Sequence, residues 1–403
     1  MTLRAITPAD FHWFPYDGFT FCLGLEQDGA AWTSGHTSAA FDPSVGKMTV
    51  SGSMESQAAT AYEKVLCIIE GAGLTAGDVV HVIEYVTVSG LPEYEAAKAV
   101  RERVFGEHQP TVSTVIVERL VRAAAFLEVE VSAVVGGGRM VKASSEQRPA
   151  GVWANTPFRE GFDGAVHLPT IVPIDDSGDV VHPGDFVGQY EYCLQRASEL
   201  LSDAGMTLDQ AVTTYDYSTP ATRPVYHKAH RVRKEWLGGS GVYPCAAGIL
   251  MSRLHHPEQL IALDVTASRH PLELVNPGWS RYDTLTYSPG VKAGRMLFMS
   301  GFGSLDMETQ QTLYPGDLGK QAEVTFGAIL HLLDYAGLGP ADLLSTIEFC
   351  VEDALPQYRV VADVRERMLV APWPASTGAM CKALLREEFL LEVLPTAIYP
   401  KEG

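Results

Sequence analysis

The stretch LPEYEAAKAVRERV, residues 91–104, is written three times in this chain. It returns as RPVYHKAHRVRKEW from Arg223 and as LPQYRVVADVRERM from Leu355. Each copy reads Pro, any residue, Tyr, five residues, then Val-Arg. Apolar residues recur at helical spacing with the proline early in the first turn, which predicts an amphipathic helix each time. Pro92, Pro224 and Pro356 stand 132 residues apart. Tyr94, Tyr226 and Tyr358 keep that interval, as do Arg101, Arg233 and Arg365. So do Gln57, Gln189 and Gln321, then Gly73, Gly205 and Gly337, then Gly52, Gly184 and Gly316. Solenoid units run to roughly 20–50 residues, so this period means three whole domains.

The units share an internal order. A strand pair ends near AAWTSGHTS, GAVHLPTI or MLFMSGFGS. A long helix follows, as in QAATAYEKVLCIIEGAGL, with a glycine C-cap signal at its end. A strand comes next (VIEYVTV, TTYDYST or TIEFCVE), then the quoted helix, then two β-rich runs. The expectation is ββαβαββ in each unit, an α+β fold with helices on one face of a sheet. The units are placed at 1–140, 150–268 and 276–403. Segments rich in Gly, Ser and Pro join them around 136–151 and 268–279, and GGG at 136–138 reads as linker because no P-loop lysine follows.

The chain has 403 residues, 46% hydrophobic and 20% charged, which suits a globular protein. No apolar run approaches the roughly 20 residues that span a bilayer. The first residues lack the apolar middle of a secretory signal, so a cytoplasmic protein is expected. The formal charge of −19 disfavours nucleic acid and anionic membranes as partners. Cysteines 22, 67, 193, 245, 350 and 381 are scattered without a CxxC pair and read as reduced packing residues.

The third unit resembles the RidA/YjgF (Rid) family. TYSPGVKAGRMLFMSGFGSLD looks like that family's opening strands, and YPGDLGKQAEVTFGAILHLLDYAGLGPADLLSTIEF like its first helix and next strand. The resemblance extends over nearly the whole chain as three copies, the second the most diverged. Family members are homotrimers with ligand pockets in the clefts between subunits. The resemblance therefore implies three tandem Rid-like, chorismate-mutase-like domains in a covalent pseudo-trimer, with helices outside a central β-barrel.

The family's imine deaminases carry an Arg in a P-x-R-S stretch. Here that position holds Val112, Ala246 and Ser376, so standard 2-iminoacid deamination is not expected. The late-strand Glu that positions water in those enzymes falls near Ser132 and Thr266. The family Tyr is matched by Tyr287, and its Ser-Gly by Ser34-Gly35 and Ser300-Gly301, where the second unit has His167-Leu168-Pro169. Ser34, Gly35, Ser300, Gly301 and Ser376 are the expected substrate-binding positions.

In the middle strand, side chains alternate between faces. The bulkier set, Ile83, Tyr85 and Thr87 in the first unit, is expected under the helices. The other set would then face the seams between units. It contains Glu84, Asp216 and Glu348 at the same interval. Such buried carboxylates serve either as general acids or bases, or as interface ion pairs, with Arg101, Arg233 and Arg365 as natural partners. His36 follows Ser34-Gly35 and reads as a proton shuttle or as a hydrogen-bonded strand-end histidine. Tyr287 reads as a catalytic or as a packing residue. His227 and His230 have ligand spacing without a completing group, so no metal is expected. Cys245 and Cys350 lack a readable His partner. For an anionic substrate, Arg223, Arg253, Arg281 and Arg295 are available.

The expectation is a Rid-like enzyme performing acid–base chemistry on a small reactive metabolite. Deamination, hydrolysis, elimination or cyclisation of an imine, enamine or enol ether in one cleft involving the third unit would fit. The alternatives are a non-catalytic ligand-binding or regulatory protein and, ranked lower, a chorismatase-like pyruvate-releasing enzyme. No cofactor is expected. The partner is a small-molecule substrate, and the chain is a monomeric pseudo-trimer with a dimer left open.

Overall fold

The structure, a computed structural model, describes residues 2–142 and 157–401. It is a mixed α+β fold. Three sheets are each built around a long middle strand: Val79–Thr87, Ala211–Ser218 and Leu343–Val351. Each middle strand pairs in parallel with one neighbour (Thr111–Val117, Cys245–Leu250 or Ala375–Cys381). On its other side it pairs antiparallel with a closing strand (Leu127–Val134, Ile261–Ser268 or Leu391–Ile398).

Two helices cover one face of each sheet. They are α1 (Met54–Glu70) and α2 (Tyr94–Phe105), α3 (Phe186–Asp203) and α4 (Ala229–Trp236), and α5 (Leu318–Tyr335) and α6 (Arg359–Met368). Ser53, Asp185 and Asp317 cap the long helices through side-chain oxygens that accept from first-turn amides. Gly73, Gly205 and Gly337 follow them at φ of +77°, +68° and +75°, a conformation that favours glycine. The repeated prolines lie in 3-10 turns just before α2, α4 and α6 rather than inside the helices.

The repeated glutamines and the quoted helices both have a structural explanation. Gln57 donates to the carbonyls of Gly52 and Ala124 and accepts from the Phe126 amide, tying α1 to the entry of the closing strand. Gln189 and Gln321 make three corresponding bonds, the first of them to carbonyls two positions earlier, those of His182 and Tyr314. The Tyr and Arg of the quoted helix hold the middle-strand carboxylate. Glu348 accepts from Tyr358 and from Arg365 Nη1, each at 2.6 Å. Glu84 accepts from Tyr62 at 2.6 Å and is also held by Tyr94 and Arg101. Asp216 is one methylene shorter. It accepts from Tyr190 and Tyr226, and Arg233 reaches Tyr190 at 2.7 Å instead.

These contacts reverse the expected orientation of the middle strand. Val82 and Val86 pack under α1 and α2, and Glu84 shares their face. The larger set faces inward, where Tyr85, Tyr217 and Phe349 meet in one apolar core shared by all three sheets. Both faces of the strand are buried, so alternation alone does not say which one meets helices. The helix side accommodates a carboxylate because Tyr and Arg reach it from the helices.

The expected central β-barrel is corrected too: among the described residues the strands form separate sheets. The ladders between sheets are short. Arg119–Leu120 adds to the third sheet, Ala383–Leu384 to the second, and Arg139–Val141 pairs with Phe158–Glu160. The glycine run at 136–138 thus leads directly into a strand of the second sheet instead of acting as a free linker. Residues 143–151 of that joining segment, and the expected start of the second unit at 150, lie outside the described residues. All six cysteines are free thiols. Among the described residues, no helix is long and apolar enough to cross a membrane.

Candidate functional site

Three seams run between the sheets, and in each a turn from one sheet docks on the parallel strand of another. In the first seam the Ser376 amide donates to Ser34 Oγ at 2.8 Å and the Gly35 amide to Thr377 Oγ1 at 2.9 Å. In the second, the Ala246 amide donates to Ser300 Oγ and the Gly301 amide to the Ala246 carbonyl, both at 2.9 Å. In the third, the Thr114 amide donates to Thr170 Oγ1 at 2.9 Å.

The backbone bridges His36–Val129, Phe302–Val393 and Ile171–Leu263 set these turns in common register. Gly35, Gly301 and Thr170 therefore hold one position. The closing strand offers Glu128, Glu392 and Ala262 at the matching place, opposite Tyr85, Phe349 and Tyr217. A Cβ on Gly35 would lie 2.4 Å from Glu128 Oε1, and one on Gly301 would lie 2.2 Å from Glu392 Oε1. Glycine at these two positions leaves the space into which the carboxyl leans across the turn. The third seam has lost both halves of the device. Its Thr170 hydroxyl bonds to Asp264, and Ala262 has no acid to present.

The second seam encloses a cavity of about 310 Å³. Glu392 lines it together with Tyr287, Arg281, Arg386, Gly248 and Phe389. Burial pushes the Glu392 carboxyl up to about 8, against a backbone hydrogen bond from Gly248 that lowers it. Arg281 Nη2 donates to the Tyr287 hydroxyl at 3.1 Å. Arg386 is held at the Gln310 carbonyl, and its pKa is lowered by burial and then by the like charge of Arg281. An anion between these guanidiniums would relieve that repulsion.

The first seam holds a cavity of about 220 Å³ lined by Glu128, His36, Lys64, Arg365, Ser376 and aromatic rings from the N-terminal segment. Burial, then the charge of Glu130, raises the Glu128 carboxyl to about 8. Burial lowers Lys64 to about 7, while its ammonium donates to the Thr37 and Ala39 carbonyls. Burial and Lys64 lower His36 to about 3, which keeps it neutral and unsuited to shuttling protons near pH 7.

The residues expected from sequence are therefore divided. Ser34, Gly35, His36 and Ser376 border the first seam, whereas Tyr287, Ser300 and Gly301 border the second. Glu84, Asp216 and Glu348 are fully or almost fully buried in their Tyr–Arg clusters, and only Asp216 also touches a seam cavity. Of the candidate arginines, Arg281 lines the second cavity. Arg223 pairs with Glu387 and Arg295 with Asp28, and Arg253 turns to the backbone of residues 254 and 255. Ser132 and Thr266 face a different, central cavity. Sequence reasoning missed Glu128, Glu392 and Arg386. A signal for the acids was present, since residues 128 and 392 lie 264 apart, twice the repeat interval.

No curated protein matches the chain. Among solved structures, a chorismatase aligns at 15% identity over 80% of this chain and 93% of its own, with a TM-score of 0.52, which shows a shared fold. Escherichia coli TdcF, solved with bound serine, aligns at 27% identity over 32% of this chain and 98% of its own, with a TM-score of 0.28. A YjgF/YER057c/UK114 family member from Mycobacterium tuberculosis aligns at 20% identity over 32% and 98%, with a TM-score of 0.27. The endoribonuclease L-PSP family model matches residues 20–135 and 282–399, more than half of the chain. The chain belongs to that family, the RidA/YjgF proteins, with repeated copies of its domain.

Proposed function

We propose that this protein is an enzyme performing acid–base chemistry on a small anionic metabolite, an imine, enamine or enol ether, in the second seam. Its three units, 1–140, 150–268 and 276–403, form a covalent pseudo-trimer whose clefts have become unequal. The observation that supports this most is the Glu392 carboxyl, largely protonated near pH 7, set over Gly301 in a cavity shared with Arg281 and Arg386. A protonated carboxyl in that place can donate to a leaving oxygen or nitrogen, or to the developing carbanion carbon of an enamine. Arg281 and Arg386 would hold the substrate carboxylate. Tyr287, oriented by Arg281, would bond the polar group beside the reacting atom.

The test is a panel of 2-imino acids generated in situ, cyclic enamines and chorismate, the enol ether suggested by the chorismatase fold. Product release is measured for the wild type and for Glu392→Gln. Turnover of one class, lost by about 100-fold or more in the variant, is expected. Equal rates in both proteins would refute the role of Glu392. Saturable binding without turnover would favour the ligand-binding alternative instead.

A further inference from the structure

Another space lies where the three sheets meet, beside the turn of the third seam. Residues of every sheet line it, among them His81, Ser113 and Glu130 of the first, His167, Thr213 and Asp264 of the second, and Ser345 and Thr396 of the third. Its volume is about 150 Å³. A cavity of about that size accommodates a molecule as large as benzene.

The lining has a definite electrostatic sign. Among the described residues it includes no Lys or Arg. Its two imidazoles, His81 and His167, stack at 4.4 Å between ring centroids. Burial lowers both, His167 to about 4, so neither is a cation near neutral pH. The groups facing them are hydroxyls: Ser113 for His81 and Thr266 for His167. Two carboxyls complete the set. Glu130 is approached by Tyr85, Thr377 and the acid Glu128, and Asp264 by Thr170, Tyr217 and Tyr215. Burial raises each to about 7. No basic side chain is among these neighbours.

Two further features point to a ligand. Aromatic rings, those of Trp32, Phe162, Tyr215 and Phe298, share the wall with the acids, the combination that recognises organic cations. The Ser132 hydroxyl, in the wall of the same space, is buried without a hydrogen-bond partner among the described residues. A buried hydroxyl left unpaired is costly, and it is available to a bound molecule.

We propose that this central cavity is a second binding site, separate from the seam clefts, for a small organic ammonium ion. The ammonium is held between Glu130 and Asp264, and its apolar part lies against the aromatic wall. Binding favours the ionised carboxyls and so expels protons, mainly from these two groups.

The probes are isobutylammonium and its uncharged near-isostere isobutanol, titrated calorimetrically into the full chain at pH 7. One saturable site is expected, with the ammonium binding at least about tenfold more tightly than the alcohol. The measured heat should also change between buffers of different ionisation enthalpy, reporting proton release. The Glu130→Gln, Asp264→Asn double variant should lose the preference for the ammonium. If that variant fails to fold, the ammonium–alcohol comparison on the wild type still decides. Equal affinities, or no saturation up to about 50 mM ammonium, would overturn the proposal. The Glu392→Gln variant should bind isobutylammonium like the wild type. Loss of binding there would place the ligand in the second seam and also overturn the proposal, whatever the fate of the catalytic reading.

Discussion

The Glu392→Gln substitution should change how stability depends on pH, independently of any substrate. In the folded protein burial raises this carboxyl from an ordinary 4.5 to about 8. The folded state therefore keeps a proton that the unfolded chain releases above about pH 4.5. The associated stability is fully present below that value and is lost as pH rises towards 8. Each pH unit in this window costs about 1.4 kcal/mol. Between pH 5 and pH 8 the wild type should lose about 3 kcal/mol through this group alone. Gln keeps the shape and the neutral charge but cannot titrate. Glu128, Glu130 and Asp264, also raised by burial, titrate in both proteins and cancel in the comparison. Urea unfolding followed by tryptophan fluorescence at pH 5, 6, 7 and 8 gives the two midpoint curves. The variant should gain on the wild type steadily as pH rises. Parallel curves would show that Glu392 ionises normally, and the general-acid role would fall with that result.

Three other outcomes follow from the same geometry. Gly301→Ala puts a methyl 2.2 Å from the Glu392 oxygen. It should cut turnover by about tenfold or more while far-UV circular dichroism stays unchanged. Arg365→Met leaves the Glu348 carboxylate buried without its ion-pair partner. A loss of about 3 kcal/mol is expected in urea, largely restored by adding Glu348→Gln. Arg386→Gln should raise KM for the anionic substrate by about tenfold with a smaller effect on kcat, since it contacts the substrate away from the reacting atom.

Part of this was legible from the chain alone. The repeat interval, the long helices and the strand order depend on local periodicity and turn chemistry, which operate over a few residues. The pairing of Glu84 with Arg101 and of Glu348 with Arg365 was among the expected alternatives, whereas Arg233 reaches Asp216 only through Tyr190. The orientation of the middle strand was inverted, because its two faces are both buried and differ only in what covers them. Glu128 and Glu392 escaped notice because the interval breaks in the second unit. There the loop around Gly238 and Gly241 is longer: the residue opposite Tyr215 is Ala247, and the one opposite Ile83 is Ser113. The shift persists to the closing strand, where Asp264 stands opposite Tyr215 as Glu130 does opposite Ile83.

The amino-acid order by itself determined the threefold recurrence of one sequence pattern at a 132-residue interval, the order of helices and strands within it, and which positions carry Ser-Gly turns. It determined these because helices, caps and alternation are short-range properties of neighbouring residues. Only the tertiary structure decided which seams retain an acid. Glu392, Gly301, Arg281 and Arg386 come from separate elements and become one site when the second and third sheets meet. The same packing buries that carboxyl and raises its pKa, because desolvation depends on the surrounding atoms and not on the residues next to it in the chain.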